Sequence, residues 1–128
     1  MTPKRILLVE DDPLFRSLCL EVFSGAHTVV AVEDGVVALE EVRRSPPDVI
    51  LLDLIMPRAR LDGIALLSRL ADGPRIPIII LSALGDALVH LSPELAAVLP
   101  ISAILNKPFS MEALAREIDR VLQHGVLG

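Results

Sequence analysis

The sequence predicts an α/β fold, an open parallel sheet covered by helices, and three observations predict it. Five short apolar runs recur along the chain with hardly a polar residue inside them, which is how strands read when both faces of their sheet are buried. Stretches of helical period alternate with these runs, as the crossovers of a parallel sheet require. Helix caps and helix-stopping residues mark several of the junctions.

The first run, Ile6-Leu7-Leu8-Val9, leads to Asp12, a good N-cap, and Pro13, whose fixed φ suits the first helical position. Leu14, Phe15, Leu18, Cys19, Val22 and Phe23 then form one apolar stripe, and the helix ends before Gly25. The second run, Thr28 to Val32, is followed by a helix from about Gly35 to Arg44, with Asp34 as cap and Val36, Leu39 and Val42 inward. Pro46-Pro47 stops it, because a residue before proline avoids the helical region. Val49 to Leu52 is the third run, and a helix from about Asp62 to Ala71 follows. After the fourth, Ile78 to Leu81, the segment Asp86 to Leu99 reads either as one helix broken by Pro93 or as a loop and a short helix from Glu94. A weaker fifth run, Ser102 to Leu105, precedes a helix capped by Ser110, with Leu114, Ile118, Val121 and Leu122 facing the core. No repeat, low-complexity tract or linker divides the chain, so residues 1–128 read as one domain. A chain of that length buries roughly 70% of its unfolded surface without disulfides or structural metals.

Composition excludes several classes of function. With 17 acidic residues against 12 Lys and Arg, the net charge of −5 argues against direct binding to nucleic-acid phosphates. The aromatic residues are Phe15, Phe23 and Phe109, with no Trp or Tyr, which leaves no platform for stacking bases or sugars. Cys19 is the single cysteine, so no internal disulfide framework exists. His27, His90 and His124 are scattered without ligand spacing, against a zinc site. The apolar stretch behind the basic N-terminus stops after four residues, too short for a signal peptide, and no run reaches the roughly 18 residues of a membrane span. A cytoplasmic location is the expectation.

Ligand sites of open parallel sheets lie beyond the carboxyl ends of the strands. There this chain places Glu10, Asp11 and Asp12 after the first run, Glu33 and Asp34 after the second, Asp53 after the third, Ser82 after the fourth, and Asn106 and Lys107 after the fifth. Clustered carboxylates repel one another and need a compensating cation to stay ionised. An all-oxygen set with few protein ligands suits Mg²⁺. A strand-end carboxylate facing such an ion and a lysine can act as a nucleophile toward phosphorus. Helix capping accounts for Asp34, but it does not account for Glu10, Asp11, Asp53 and Lys107 together.

Four segments carry a resemblance: Ile6-Leu-Leu-Val-Glu-Asp-Asp-Pro13, Asp48-Val-Ile-Leu-Leu-Asp-Leu-Ile-Met-Pro57, Ile79-Ile-Leu-Ser-Ala83 and Asn106-Lys-Pro-Phe109. In this order and at these spacings the chain resembles the receiver domain of bacterial two-component response regulators. The resemblance implies a (βα)5 flavodoxin-like three-layer sandwich with strand order 2-1-3-4-5. It implies a phosphorylation-dependent switch in which Asp53 accepts a phosphoryl group from a sensor histidine kinase or a histidine phosphotransfer protein. Asp11 would then bind Mg²⁺ directly, Glu10 through water, and the acceptor Asp53 and the backbone carbonyl of Ile55 would complete the protein ligands. Lys107 would pair with a phosphoryl oxygen, Ser82 would donate its hydroxyl to the same group, and Pro108 would follow a cis bond. Such a module promotes its own Mg²⁺-dependent phosphorylation without being a turnover enzyme. Gly63 matches the family's turn glycine, and Phe109 reads as a core anchor.

Three departures stand out. Ile104 occupies the position three residues before Lys107, where many receivers carry an aromatic ring, so the switch works through Ser82 and the loop alone or is damped. The loop after Asp53 is two residues longer than the common form and places Arg58 and Arg60 beside the acidic pocket, where they either attract the phosphodonor or, as loop arginines are more often expected to do, face solvent. The 86–105 segment is nearly uncharged, which reads either as a homodimer or effector surface or as tight internal packing. Ile55 and Leu84 are aliphatic where polar side chains can orient a hydrolytic water, which predicts slow self-dephosphorylation. An alternative is a docking domain that keeps the fold and signals without phosphorylation. A metal-dependent phosphatase is disfavoured, because Ile55 supplies no general acid two residues after the nucleophile.

Overall fold

The computed structural model describes residues 3–83 and 93–124. Five parallel strands form one sheet: β1 (Arg5–Val9), β2 (Thr28–Val32), β3 (Val49–Asp53), β4 (Ile78–Ser82) and β5 (Ile101–Asn106). They hydrogen-bond in the order β2-β1-β3-β4-β5. Between and after them run α1 (Pro13–Phe23), α2 (Gly35–Arg44), α3 (Gly63–Leu70), α4 (Pro93–Val98) and α5 (Met111–His124).

Successive side chains of a strand point to opposite faces, and the central strands bury both. On one face Ile6, Leu8, Val49, Leu51, Ile79 and Leu81 pack with Cys19 and Phe23 of α1 and with Leu114, Ile118 and Val121 of α5. On the other, Leu7, Val9, Ile50, Leu52, Ile78 and Ile80 pack with Ala38 and Val42 of α2 and with Leu66, Leu67 and Leu70 of α3. The result is the expected three-layer sandwich. Against β4, the register of β5 jumps from Ile101 opposite Ile78 to Ala103 opposite Ile79, a bulge that absorbs Ser102. It rephases the edge strand so that Ile101 and Ile104 reach the α2–α3 face while Ala103 and Leu105 reach the α1–α5 face.

Helix starts follow their caps. Asp12, Asp34 and Asp62 each accept a backbone N–H of the first turn, at 3.0, 3.0 and 2.9 Å. The single α1 stripe is a correction. Its rows part by one residue: Phe15, Cys19 and Phe23 face inward, while Leu14 (80% exposed), Leu18 and Val22 face water. In α2 the inward residues include Ala38 and Val42, with Val37 and Leu39 packed beside them, and Val36 is not among them. Pro93 is the first described residue of α4, at a position where its missing N–H costs nothing, and the part of the 86–99 segment that precedes it lies outside the described residues. Leu84 and Asp86 lie outside the described residues.

Candidate functional site

Glu10, Asp53 and Lys107 sit just past or at the ends of β1, β3 and β5 and continue the strand phase that faces α1 and α5. Glu10 extends the ladder beyond Val9, its N–H donating to the Val32 carbonyl at 3.0 Å. The Lys107 N–H donates to the Ser82 carbonyl at 2.6 Å, which ties the ends of β4 and β5. The Lys107–Pro108 bond is cis, as the family resemblance implies. Phe109 packs edge-on against Phe15 with 5.9 Å between centroids, and the Lys107 ammonium lies 5.7 Å from the Phe15 ring centre. Phe109 thus anchors the β5–α5 turn as expected, and its ring partner also flanks the lysine.

The Lys107 ammonium bridges two carboxylates, 3.2 Å from Glu10 Oε1 and 3.3 Å from Asp53 Oδ2. Asp53 Oδ1 accepts the Ile55 N–H at 3.2 Å, so both oxygens of this buried carboxylate are held. Glu10 is 1% exposed, and its Oε2 is buried without a partner. Burial first, and then the Asp53 carboxylate beside it, push the Glu10 pKa up to about 8 against the pull of Lys107. Burial alone would lower the pKa of Lys107, but Asp53 and Glu10 together raise it, so the ammonium stays charged. Carboxylate oxygens of Glu10, Asp11 and Asp53 all lie within 4.8 Å of one another. Three acids, one orphaned oxygen and a single shared ammonium make a donor set of hard oxygens short of positive charge, which fits a divalent cation. Ser82 is fully buried at the end of β4, opposite Asn106.

The long loop after β3 differs from expectation. Arg58 and Arg60 do not simply face solvent: each guanidinium, though mostly exposed, meets a carboxylate. Arg60 donates to Asp34 Oδ2 from Nε at 2.8 Å and to Oδ1 from Nη2 at 3.3 Å, while the backbone N–H of Arg58 donates to Asp11 Oδ2 at 3.2 Å. Asp34 is therefore more than a helix cap. A buried acid of that kind needs a cation, and the two arginines of the longer loop were the available signal. The role of Gly63 also changes. A Cβ there would lie 2.1 Å from the Asp53 carbonyl oxygen and 2.6 Å from Leu54 Cα, so close approach of α3 to the end of β3, not a turn conformation, requires glycine.

Cys19 is buried, and burial, aided by the Glu10 charge, pushes its thiol up to about 12, which keeps it protonated and inert. His27 is structural, its Nδ1 accepting the Lys4 N–H at 3.2 Å. His90 lies outside the described residues. Ile104 is half-buried against the α2–α3 face, where an aromatic ring would stand in many receivers. Among the described residues no helix is long and apolar enough to cross a membrane.

Residues 6–119 match the family model described as the response regulator receiver domain. The transcriptional regulatory protein CseB of Streptomyces coelicolor is 37% identical over 122 residues, 92% of this chain and 49% of that protein. The response regulator MprA of Mycobacterium leprae is 37% identical over 123 residues, 93% of this chain and 51% of its own length. The chain thus spans about half the length of these curated relatives. Among solved structures, a Francisella response regulator receiver domain superposes with a TM-score of 0.80 at 29% identity, covering 94% of this chain and 97% of that one.

Proposed function

The chain belongs to the response regulator receiver domain family, and from that premise we propose that it is a phosphorylation-dependent switch whose acceptor is Asp53. The observation that carries the reading is the convergence of the Glu10, Asp11 and Asp53 carboxylates within 4.8 Å, with Lys107 bridging two of them.

An Asp53 carboxylate oxygen attacks the phosphorus of a phosphohistidine on a sensor histidine kinase or a histidine phosphotransfer protein. The P–N bond breaks, and the imidazole nitrogen leaves with its electron pair. The Ile55 N–H and the Lys107 ammonium hold the two Asp53 oxygens and so orient the nucleophile before the donor arrives. Lys107 then follows the incoming charge to a phosphoryl oxygen. Asp11, Asp53 and the Ile55 carbonyl would hold Mg²⁺, with Glu10 reaching it through water, and the bound ion would offset the charge that builds on the phosphoryl oxygens. The Ser82 hydroxyl, donated to the phosphorylated Asp53, would convert about two added negative charges into a rearrangement of the loop behind β4.

The module spans residues 1–128 as one cytoplasmic domain, turns over no substrate, binds no nucleic acid itself, and passes its signal to a second copy or an effector through the 86–105 segment. A docking domain independent of phosphorylation draws no support from a site with its acidic cluster and lysine assembled. Incubation with acetyl phosphate and Mg²⁺ tests the reading. The intact mass should rise by one phosphoryl group, and Asp53→Asn should abolish the gain. An unchanged mass for the unaltered chain would sink it.

A further inference from the structure

The longer loop between β3 and α3 is fastened at both ends to the neighbouring charges. At its far end Arg60 makes the two-pronged contact with Asp34, and the Leu61 carbonyl accepts the Gly35 N–H at 2.7 Å. Gly35 leaves room for this closure, since a Cβ there would meet the Leu61 carbonyl oxygen at 2.8 Å. At its near end Arg58 grips Asp11 three ways. Its N–H donates to Oδ2 at 3.2 Å, its Nη2 donates to the Asp11 carbonyl at 3.4 Å, and its Nε lies 3.7 Å from Oδ2.

Asp11 is also one of the three carboxylates that converge on the acidic site. An oxygen already hydrogen-bonded and charge-paired has less to offer an incoming cation. We propose that Arg58 is a built-in competitor of the divalent cation at Asp11: its guanidinium and N–H hold the carboxylate, weaken cation binding, and are displaced when the cation takes their place. The rest of the loop keeps this competitor at hand. Tethered by Leu61 and Arg60 to the start of α2, Arg58 meets Asp11 at the high effective concentration of an intramolecular partner. The contact is weak in itself, because the Arg58 side chain is 69% exposed and water screens the pair. An exposed pair of this kind changes an affinity by about two- to fivefold, which tunes a site without closing it.

The inference rests on reading Asp11 as a cation ligand, and its test separates the two. Calorimetric titration of the full chain with Mg²⁺ compares the unaltered protein with Arg58→Ala and with Arg69→Ala, which removes the same charge from the exposed face of α3. Arg58→Ala should bind Mg²⁺ about two- to fivefold more tightly, and Arg69→Ala should match the unaltered chain. In nuclear magnetic resonance spectra of the unaltered chain, the Arg58 backbone amide should shift and exchange faster with solvent as Mg²⁺ saturates. Unchanged or weaker affinity in Arg58→Ala overturns the proposal, as does equal tightening in Arg69→Ala or an Arg58 amide that Mg²⁺ leaves undisturbed. An unaltered chain that binds no Mg²⁺ would remove the cation reading itself, and this inference with it.

Discussion

Two groups of charges lie side by side at the carboxyl edge of the sheet, and they are built on opposite terms. The inner group, on the α1–α5 side, sets two buried acids, Glu10 and Asp53, against one ammonium that is 30% exposed. The outer group, on the α2–α3 side, matches Asp11 and Asp34 with Arg58 and Arg60, whose side chains are 69% and 64% exposed. With both acids ionised the inner group is one positive charge short where water cannot help, so Glu10 keeps its proton up to about pH 8 unless a cation takes its place, and the outer group is neutral where water can help. Buried charge left uncompensated costs several kcal/mol per ion, whereas exposed pairs contribute at most about 1 kcal/mol. The fold therefore concentrates its electrostatic cost on the residues proposed to meet the phosphoryl group and the cation, and uses cheap contacts to shape the loop around them.

The sharpest way to break this contrast is to disturb the inner group through the backbone. In Gly63→Ala the new methyl meets the carbonyl of Asp53 and the Cα of Leu54, neither of which can swing aside as a side chain could. The expected loss is about 3 kcal/mol, read as a shift of the urea midpoint at constant m-value. Phosphorylation of the surviving folded fraction should also fall, because Asp53 itself is displaced; full activity in that fraction would uncouple the glycine from the acceptor. Lys107→Ala comes next. It strands two carboxylates that share one cation, and partial exposure of the lysine reduces the penalty of a fully buried pair to about 1–2 kcal/mol. Added Mg²⁺ should restore part of that loss, and a variant as stable as the unaltered chain would mean that the inner acids are not short of charge.

The same contrast explains what was legible in the sequence. Inner residues announce themselves because each follows a strand whose apolar run is unmistakable, as Glu10 follows Ile6-Leu7-Leu8-Val9, and the parity of the strands fixes the face to which they point. All five strands and the caps Asp12, Asp34 and Ser110 were readable on the same grounds. Outer residues sit on a loop that has no period, so nothing local says that Arg60 reaches Asp34, 26 residues earlier, or that Arg58 reaches Asp11, 47 residues earlier. Helix α1 failed for another reason. Apolar residues occupy two adjacent rows of it, and hydrophobicity alone cannot choose which row, Phe15-Cys19-Phe23 or Leu14-Leu18-Val22, faces the sheet. The β5 bulge at Ser102 was hidden because one extra residue leaves the composition of the strand unchanged.

Titration offers a finer probe of the inner group. The Glu10 carboxyl, pushed up to about 8 by burial and by Asp53, binds a proton in the folded chain that the unfolded chain has lost. The folded state thus carries more protons between the ordinary carboxyl range and pH 8, so stability falls as pH rises across that window. Without divalent cation, the thermal midpoint should drop between pH 5 and pH 8. Saturating Mg²⁺ should flatten the drop, since a cation bound by the cluster favours ionised carboxylates. Asp34, held below its usual range first by the Arg60 hydrogen bond, contributes only at the acid end and leaves this window undisturbed. A midpoint that climbs steadily from pH 5 to pH 8 would reverse the charge balance assigned to the inner group.

The smallest effects belong to the outer group, and their order is itself informative. Asp34 does two things: it caps α2 through the Val37 N–H at 3.0 Å and pairs with Arg60. Asp34→Ala removes both, and loss of the cap alone should cost about 1 kcal/mol. Arg60→Ala leaves the cap in place and removes only a pair open to water, so it should cost less than Asp34→Ala at neutral pH. The difference between Arg60→Ala and the unaltered chain should also depend on pH in a definite direction. The pair's contribution is present above the unfolded carboxyl pKa and is lost as pH falls through the lower folded value, so the two denaturation midpoints should converge under acid. If Arg60→Ala proved the costlier of the two substitutions, the loop would be held by more than a screened ion pair, and the division between a strained inner site and an inexpensive outer strap would fail.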